Sequence, residues 1–300
     1  MLLGAVGIGS KCTVWRVSRG IGGFVDLLDL EPIEVNIFRG ARLEGSQSRV
    51  FGGQVAAQAI VAAGRTVETG RVHSLHAYFL RPGDPATPIL YEVDRIHDGR
   101  SFTTRRVVAI QHGQAIFNLA CSFHVEEEGL EHQSVMPDVP EPDEVPGLGD
   151  LPPDRPVGAP LKFLDDIGLE IHFVGGAPWD RDREVREREQ LWLRATEPLG
   201  DEPVLHVAIA TFASDLTLVG TILARHGLSA WTTPFFGASL DHCMWFHRPL
   251  RADQWLFYDQ TSPAAAGALG LSIGSLYQRG GQLVATVAQE GLVRVRPRTS

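Results

Sequence analysis

Apolar and polar residues alternate along residues 237–249, G-A-S-L-D-H-C-M-W-F-H-R-P, which run into two aromatics and stop at a proline. The pattern predicts a strand with one half-buried face, ended by a residue that cannot donate to a ladder. A second stretch, residues 72–82, reads V-H-S-L-H-A-Y-F-L-R-P. Two versions of one strand in one chain point to a duplicated domain.

Residues 1–22 carry little periodic signal and read as a weakly structured extension. From Gly23, F-V-D-L-L-D-L-E-P-I-E predicts a short helix and a turn at Pro32. Residues 33–38 alternate as a strand, and residues 39–47 are polar and glycine-bearing, hence a loop. A helix apolar on nearly every side then opens at Gly52, and such a helix belongs in a core. Strands follow at residues 72–80, 89–97, 102–112 and 115–125, with a hairpin turn at 112–114. One helix followed by a run of antiparallel strands is an α+β pattern, a sheet wrapped on one central helix.

Residues 126–160 are acidic and proline-rich without apolar periodicity, which predicts a stiff, solvated linker. The program then repeats. Strands are expected at 169–174 and 190–196, a second alanine- and aliphatic-rich helix within 204–223, and strands at 237–249, 255–261, 268–278 and 283–294. The dense charge run at 181–190 reads as a solvated surface face. The repeat holds residue by residue. Phe79-Leu80-Arg81-Pro82 matches Phe246-His247-Arg248-Pro249, and Gln111-His112-Gly113 matches Gln278-Arg279-Gly280. One inserted glycine then sets Ala120 opposite Ala288 and Cys121 opposite Gln289. The expected organisation is an extension (1–22), one repeat (23–125), a linker (126–160) and a second repeat (161–296), packed as a pseudo-dimer.

Composition narrows the function. The chain of 300 residues is 44% hydrophobic and 21% charged, enough for two full cores. A net charge of -9 disfavours a general nucleic-acid binder, although a local arginine cluster can still receive a phosphate-bearing ligand. Three widely spaced cysteines, Cys12, Cys121 and Cys243, form neither a disulfide framework nor a zinc site and fit a reducing cytoplasm. The N-terminus lacks the basic region of a signal peptide. No apolar run reads as the roughly 20-residue segment that spans a bilayer, and the final R-T-S is not a standard peroxisomal address.

The two repeats differ in polar residues. The first has Ser74 and Cys121 where the second has Asp241 and Gln289. The second carries Asp215 on or near its helix, Ser239 on one strand and Gln289 on another, elements that become neighbours if the sheet wraps the helix. Each also has a plain explanation: Asp215 as a helix cap, Ser239 as filler on a strand face, Gln289 as a backbone partner at a domain edge. Gly52, Gly53 and Gln54 open the first helix, where exposed N–H groups suit an anion or oxyanion, or where glycines simply turn the chain. His73/His76 and His242/His247 lack the spacing of metal ligands on one strand face, so no metal or cofactor is expected. No G-x-S-x-G nucleophile elbow is present.

At these residues the chain resembles a known family. S-R-V-F-G-G-Q-V-A-A-Q-A, V-H-S-L-H-A-Y-F-L-R-P-G-D, D-G-R-S-F-T-T-R-R-V-V-A-I-Q, L-D-H-C-M-W-F-H-R-P and A-Q-E-G-L-V-R look like signatures of the type II, TesB-like acyl-CoA thioesterases. The resemblance runs from about Asp26 to Arg294 and spares the linker. It implies a double hotdog, two long helices each wrapped by an antiparallel sheet, and hydrolysis of acyl-CoA to free acid and CoA. It places the water-activating residues at Asp215, Ser239 and Gln289, with Ser239 standing where several relatives have threonine. It implies acyl-CoA as the partner molecule. Hotdog proteins bury sheet surface by association, which a double hotdog already achieves internally; a further homo-oligomer, a dimer or tetramer of double hotdogs, is the expectation. Two alternatives remain at this level: a non-catalytic acyl-CoA binding module of the same fold, and a hotdog hydratase, whose Asp–His dyad near the helix start is not evident.

Overall fold

The computed structural model describes residues 21–42, 49–148, 164, 167–177, 184–230 and 232–295. Thirteen strands among these residues form one antiparallel sheet. In the first half they are β1 (Glu31–Glu34), β2 (Ile37–Gly40), β3 (Arg71–Phe79), β4 (Ile89–Asp98), β5 (Phe102–Gln111) and β6 (Gln114–His124). The second half supplies β7 (Leu169–Phe173), β8 (Arg188–Ala195), β9 (Phe235–Ser239), β10 (Asp241–Phe246), β11 (Leu256–Ala266), β12 (Leu269–Gln278) and β13 (Leu283–Val295). The helices are α1 (Ile21–Leu28), α2 (Gly52–Gly64), α3 (Pro203–Ser214) and α4 (Leu218–Ala224).

The strand order is β1-β2-β4-β5-β6-β3-β10-β13-β12-β11-β8-β7, with β9 paired to the far end of β13. Outward from the central β3–β10 pair the two halves run in the same sequence: β6 and β13, β5 and β12, β4 and β11, β2 and β8, β1 and β7. The duplication in the sequence is therefore a pseudo-twofold in the sheet, with Cys243 opposite His76 at its centre.

The sheet wraps two helices that run antiparallel. A Cβ added at Gly53 would lie 2.6 Å from the Phe212 carbonyl oxygen, and one at Gly64 2.8 Å from Val204 Cγ2. The start of α2 thus meets the end of α3, and the end of α2 meets the start of α3. Alanines and glycines allow this approach, and α2 is buried from Gly53 to Ala63. Contrary to the expectation from sequence, the stretch Pro203–Ala224 has the length and hydropathy of a membrane span. Yet 78% of its apolar window is buried inside the fold, so it serves as core.

The structure corrects several sequence expectations. Residues 33–38 are a hairpin, not one strand: Asn36 takes φ 60° between β1 and β2, a left-handed conformation that asparagine tolerates. The following loop is shorter than expected, since Arg39 and Gly40 belong to β2; residues 43–48 lie outside the described residues. The proposed extension is already helical at Ile21, and residues 1–20 are not described. The single helix over 204–223 breaks at Asp215, which ends α3, and restarts after Thr217. The strand over 237–249 is divided at Leu240.

The linker is only partly solvated. Met136, Val139 and Val145 pack on Trp192, Trp255, Phe257 and Tyr277 of the second half. Trp192 donates to the Pro140 carbonyl at 2.9 Å, and Gln133 bridges the β12–β13 turn at Gly281 and Leu283. Its acidic side chains are used as well: Arg279 pairs with Glu141 and Asp143. Apolar residues spaced irregularly among prolines carry no strand or helix period, which is why this strap reads as linker. Residues 149–160 of it are not described. In the charge run, residues 181–183 are likewise not described; Glu184, Glu187 and Arg188 are exposed, as a solvated face requires, whereas Arg186 and Glu189 form a mostly buried ion pair.

Candidate active site

The break between α3 and α4 places Asp215 at the end of α3, where the chain turns beneath the sheet. Its side chain is buried, 7% exposed. The break between β9 and β10 completes the site. β10 pairs with β13 as Cys243↔Ala288, whereas β9 pairs with it as Ser239↔Gly291, so one extra residue is accommodated at Leu240–Asp241. Asp241 Oδ1 accepts from the Glu290 N–H at 2.6 Å and pins that bulge. In a regular strand Ser239 would share a face with Asp241 and Cys243. The bulge puts it on the inner face with His242 and Met244, directed at Asp215.

Three side chains then join. Ser239 Oγ donates to Asp215 Oδ1 at 2.9 Å, and Gln289 Nε2 donates to Ser239 Oγ at 2.9 Å. Gln289 is held in turn, because its Oε1 accepts from Nδ1 of the fully buried His242. The other ring nitrogen of His242 lies 2.9 Å from Ser214 Oγ, beside Asp215 on the helix. His242 therefore fixes which end of the Gln289 amide faces Ser239. No role for His242 is evident from sequence; the one available signal is its inward register two residues before Met244.

Gly52 and Gly53 of the first half reach the same place. The Gly53 N–H donates to Asp215, and a Cβ on Gly52 would stand 2.8 Å from Asp215 Oδ2 and 2.7 Å from the Phe79 ring. Phe51, at the N-cap, supplies no side-chain cap, so the first turn of α2 directs backbone N–H groups at the carboxylate. The Gln54 side chain does not join them; it turns away to the Ala41 carbonyl at 3.3 Å. Burial pushes the Asp215 carboxyl above the usual carboxylate range. The His242 ring and the hydrogen bonds from Ser239, Gln289 and Gly53 oppose that rise.

Asp215, Ser239 and Gly52 line a cavity of about 610 Å³. Its far wall is apolar, formed by residues such as Ile171, Phe173, Leu191 and Leu228. α4, which has no counterpart after α2, contributes Val219 and Gly220 to that wall. The volume falls within the usual range of small-molecule pockets.

The pseudo-equivalent place in the first half holds no such chemistry. His76 faces Ala120 as Cys243 faces Ala288, so Leu75 stands for His242 and Cys121 for Gln289. A matching register shift between Val72 and Ser74 puts Val72 where Ser239 lies. Burial raises the Cys121 thiol to about 12, which keeps it unreactive. Arg105, 1% exposed, occupies the position of Ser272 and fills the space, donating to Thr66 Oγ1 at 2.8 Å and to the Thr66 carbonyl at 3.0 Å. Arg105→Met leaves those two acceptors without this donor. It is expected to cost about 2–3 kcal/mol in urea unfolding while kcat per folded molecule stays as in wild type. A large fall in kcat would show that the filled site still serves the reaction.

No group of three or more His, Cys, Asp or Glu side chains among the described residues is arranged to hold a metal ion. The chemistry available is that of a shielded carboxylate, a hydroxyl and an amide beside a helix N-terminus, at the head of an apolar chamber. Together with the paired wrapped helices, this defines a double-hotdog thioester hydrolase. Family models agree: residues 43–124 match the acyl-CoA thioesterase N-terminal domain, and residues 181–292 match acyl-CoA thioesterase. The chain is 38% identical to human acyl-coenzyme A thioesterase 8, over 91% of this chain and 89% of that protein. It is 34% identical to acyl-CoA thioesterase 2 of Haemophilus influenzae, over 91% and 98%. Among solved structures, acyl-CoA thioesterase II TesB2 of Mycobacterium marinum superimposes with a TM-score of 0.75 at 42% identity, covering 91% of this chain and 98% of that one. The chain belongs to the acyl-CoA thioesterase family.

Proposed function

We propose that the chain hydrolyses fatty acyl-CoA to free fatty acid and CoA with a water activated by Asp215, Ser239 and Gln289. The observation that carries this reading is the hydrogen-bonded set Gln289–Ser239–Asp215 at the head of an apolar cavity. Asp215 takes a proton from the water as its oxygen bonds to the thioester carbon. Ser239 and Gln289 hold that water in line. The oxyanion of the tetrahedral intermediate faces the first-turn amides of α2, with the Gly52 N–H as the candidate donor. Such a donor is worth roughly 3–4 kcal/mol in comparable sites. The C–S bond then breaks, and the CoA thiolate leaves and recovers the proton. No acyl-enzyme is needed, because Ser239 donates to a carboxylate and has no histidine beside it as base.

A pure binding module has no use for a carboxylate whose burial raises its proton affinity, and this favours catalysis. Free thiols at Cys121 and Cys243 support a reducing, cytoplasmic setting, and a fatty acyl-CoA substrate would place the reaction in fatty acid metabolism. Exposed Tyr78, Trp245, Leu271 and Ile273 on the outer sheet face support self-association. Release of CoA from octanoyl- and palmitoyl-CoA tests the activity. Ser239→Ala is expected to lose about 10–100-fold in kcat, and Ser239→Thr to stay within about threefold because the hydroxyl is kept. Acyl-CoA binding without turnover by the wild-type protein would establish the binding module instead.

A further inference from the structure

The cavity has two unlike ends. Its buried end is apolar, and its opening is bordered by exposed residues, among them Arg49, Leu80, Arg81 and Phe236. With the thioester at Asp215 and the acyl chain in the apolar end, the rest of the CoA molecule must leave through this opening.

Arg49 and Arg81 are set apart by their place: of the described arginines without a carboxylate partner, which also include Arg42, Arg71, Arg95 and Arg100, these two line the cavity. Eleven arginines among the described residues pair with a carboxylate: Arg39 with Glu31 and Arg279 with Glu141 are examples. The two at the opening have no carboxylate partner among the described residues. Each is instead steadied by a backbone carbonyl: Arg49 Nη2 donates to Gly237 O at 2.9 Å, and Arg81 Nη1 to Ala115 O at 2.7 Å. Their anchors tie them to the site. Gly237 lies two residues before Ser239 on β9, and Arg81 lies two residues after Phe79, whose ring packs at Gly52.

A third cation lies next to Phe236, outside the cavity lining itself. Arg294 is the cross-strand partner of Phe236, so the two side chains share a face of the sheet. Arg294 also has no carboxylate partner among the described residues. Phe236 is 49% exposed at the opening, a flat apolar surface beside the cations. The acidic residues that line the cavity, Asp215 and Glu189, are both buried. On a chain of net charge -9, the opening is thus locally positive.

We propose that Arg49, Arg81 and Arg294 bind the phosphate groups of CoA, with Phe236 as the surface on which its adenine stacks. Guanidinium forks suit phosphate oxygens, and a base stacks on any aromatic face. The site rests on the thioesterase reading for its ligand, but it makes a separate claim about recognition of the nucleotide end, remote from the thioester.

The experiment compares octanoyl-CoA with the octanoyl thioester of N-acetylcysteamine, which has the same reacting atoms and no phosphate. The Arg49→Ala/Arg81→Ala double variant is expected to raise KM for octanoyl-CoA on the order of tenfold or more, with kcat within about twofold. Its kcat/KM for the phosphate-free thioester is expected to move far less. In wild type, 3′,5′-ADP competes with octanoyl-CoA, and this inhibition weakens in the double variant. Arg294→Ala and Phe236→Ala give smaller losses of the same kind. Arg39→Ala, remote and paired with Glu31, serves as the charge control. Equal losses on both thioesters, or no loss on either, would overturn the proposal. If wild type cleaves neither thioester, the thioesterase reading fails. The phosphate site then stands or falls on calorimetric binding of 3′,5′-ADP to wild type and the double variant.

Discussion

Asp215→Asn is expected to lower kcat for acyl-CoA hydrolysis at least about a hundredfold while leaving a folded protein. Asparagine keeps the size of the side chain and an oxygen for the Ser239 hydroxyl, but it cannot take a proton from water. The pH dependence follows from the burial of the carboxyl. Its proton affinity is raised, so in wild type the active carboxylate is lost as pH falls through a value above the ordinary carboxylate range. The rate therefore drops at a higher pH than an exposed aspartate would give. The residual rate of the asparagine variant should not follow that step.

The same displacement fixes the effect on stability. Between the unfolded and the raised folded pKa, the folded protein binds more protons than the unfolded chain. Stability therefore falls as pH rises through the folded value. At neutral pH the ionised Asp215 is a cost to the fold, and below the unfolded pKa that cost is absent. Asp215→Asn should accordingly have the higher Tm at pH 7, with the difference closing toward acid. A variant that is inactive yet more stable is the mark of a group kept for chemistry at the expense of the fold. If it loses both activity and Tm at pH 7, Asp215 is structural; if it keeps kcat, another group activates the water.

The duplication, and with it the fold, was legible because the repeated strands and hairpins carry dense local signals. Alternation, proline stops and a turn glycine each repeat at nearly constant spacing. The residues that converge on Asp215 were legible only through resemblance. Their convergence depends on two irregularities that have no period. One is the helix break at Asp215–Thr217, hidden inside a continuous apolar run. The other is the bulge at Leu240, which reverses the facing of Ser239 without altering the alternation written in the sequence. The role of His242 is not legible in the sequence because its partners, Gln289 and Ser214, are 47 and 28 residues away. Gly52 and Gly53 were noted as a possible anion site. The sequence could not show that they serve the carboxylate of the other half, since that follows from the antiparallel crossing of α2 and α3.

That crossing makes Gly53 the most demanding position outside the polar set. Gly53→Ala is expected to destabilise the protein by about 1–3 kcal/mol, and Gly53→Val by more. The new Cβ would sit 2.6 Å from the Phe212 carbonyl, a backbone atom that moves only if α3 moves. The gain in helix propensity from replacing glycine, about 1 kcal/mol, does not offset a clash of that kind. The effect on rate should be larger still. The Gly53 N–H holds Asp215, so separating α2 from α3 displaces the carboxylate relative to Ser239, and an error near 1 Å in such a set costs about a hundredfold. Gly64 provides the comparison at the other end of the same crossing. There the added Cβ would meet Val204 Cγ2 at 2.8 Å, the tip of a side chain that can turn aside, and no catalytic group is nearby. Gly64→Ala should lower the urea midpoint modestly and leave kcat near wild type. Loss of rate at Gly53 with retention at Gly64 would mean that the two halves are bound together at the reacting centre, one giving the helix start and the other the acid. Equal effects at the two glycines would reduce Gly53 to a packing position, and the first half to a scaffold.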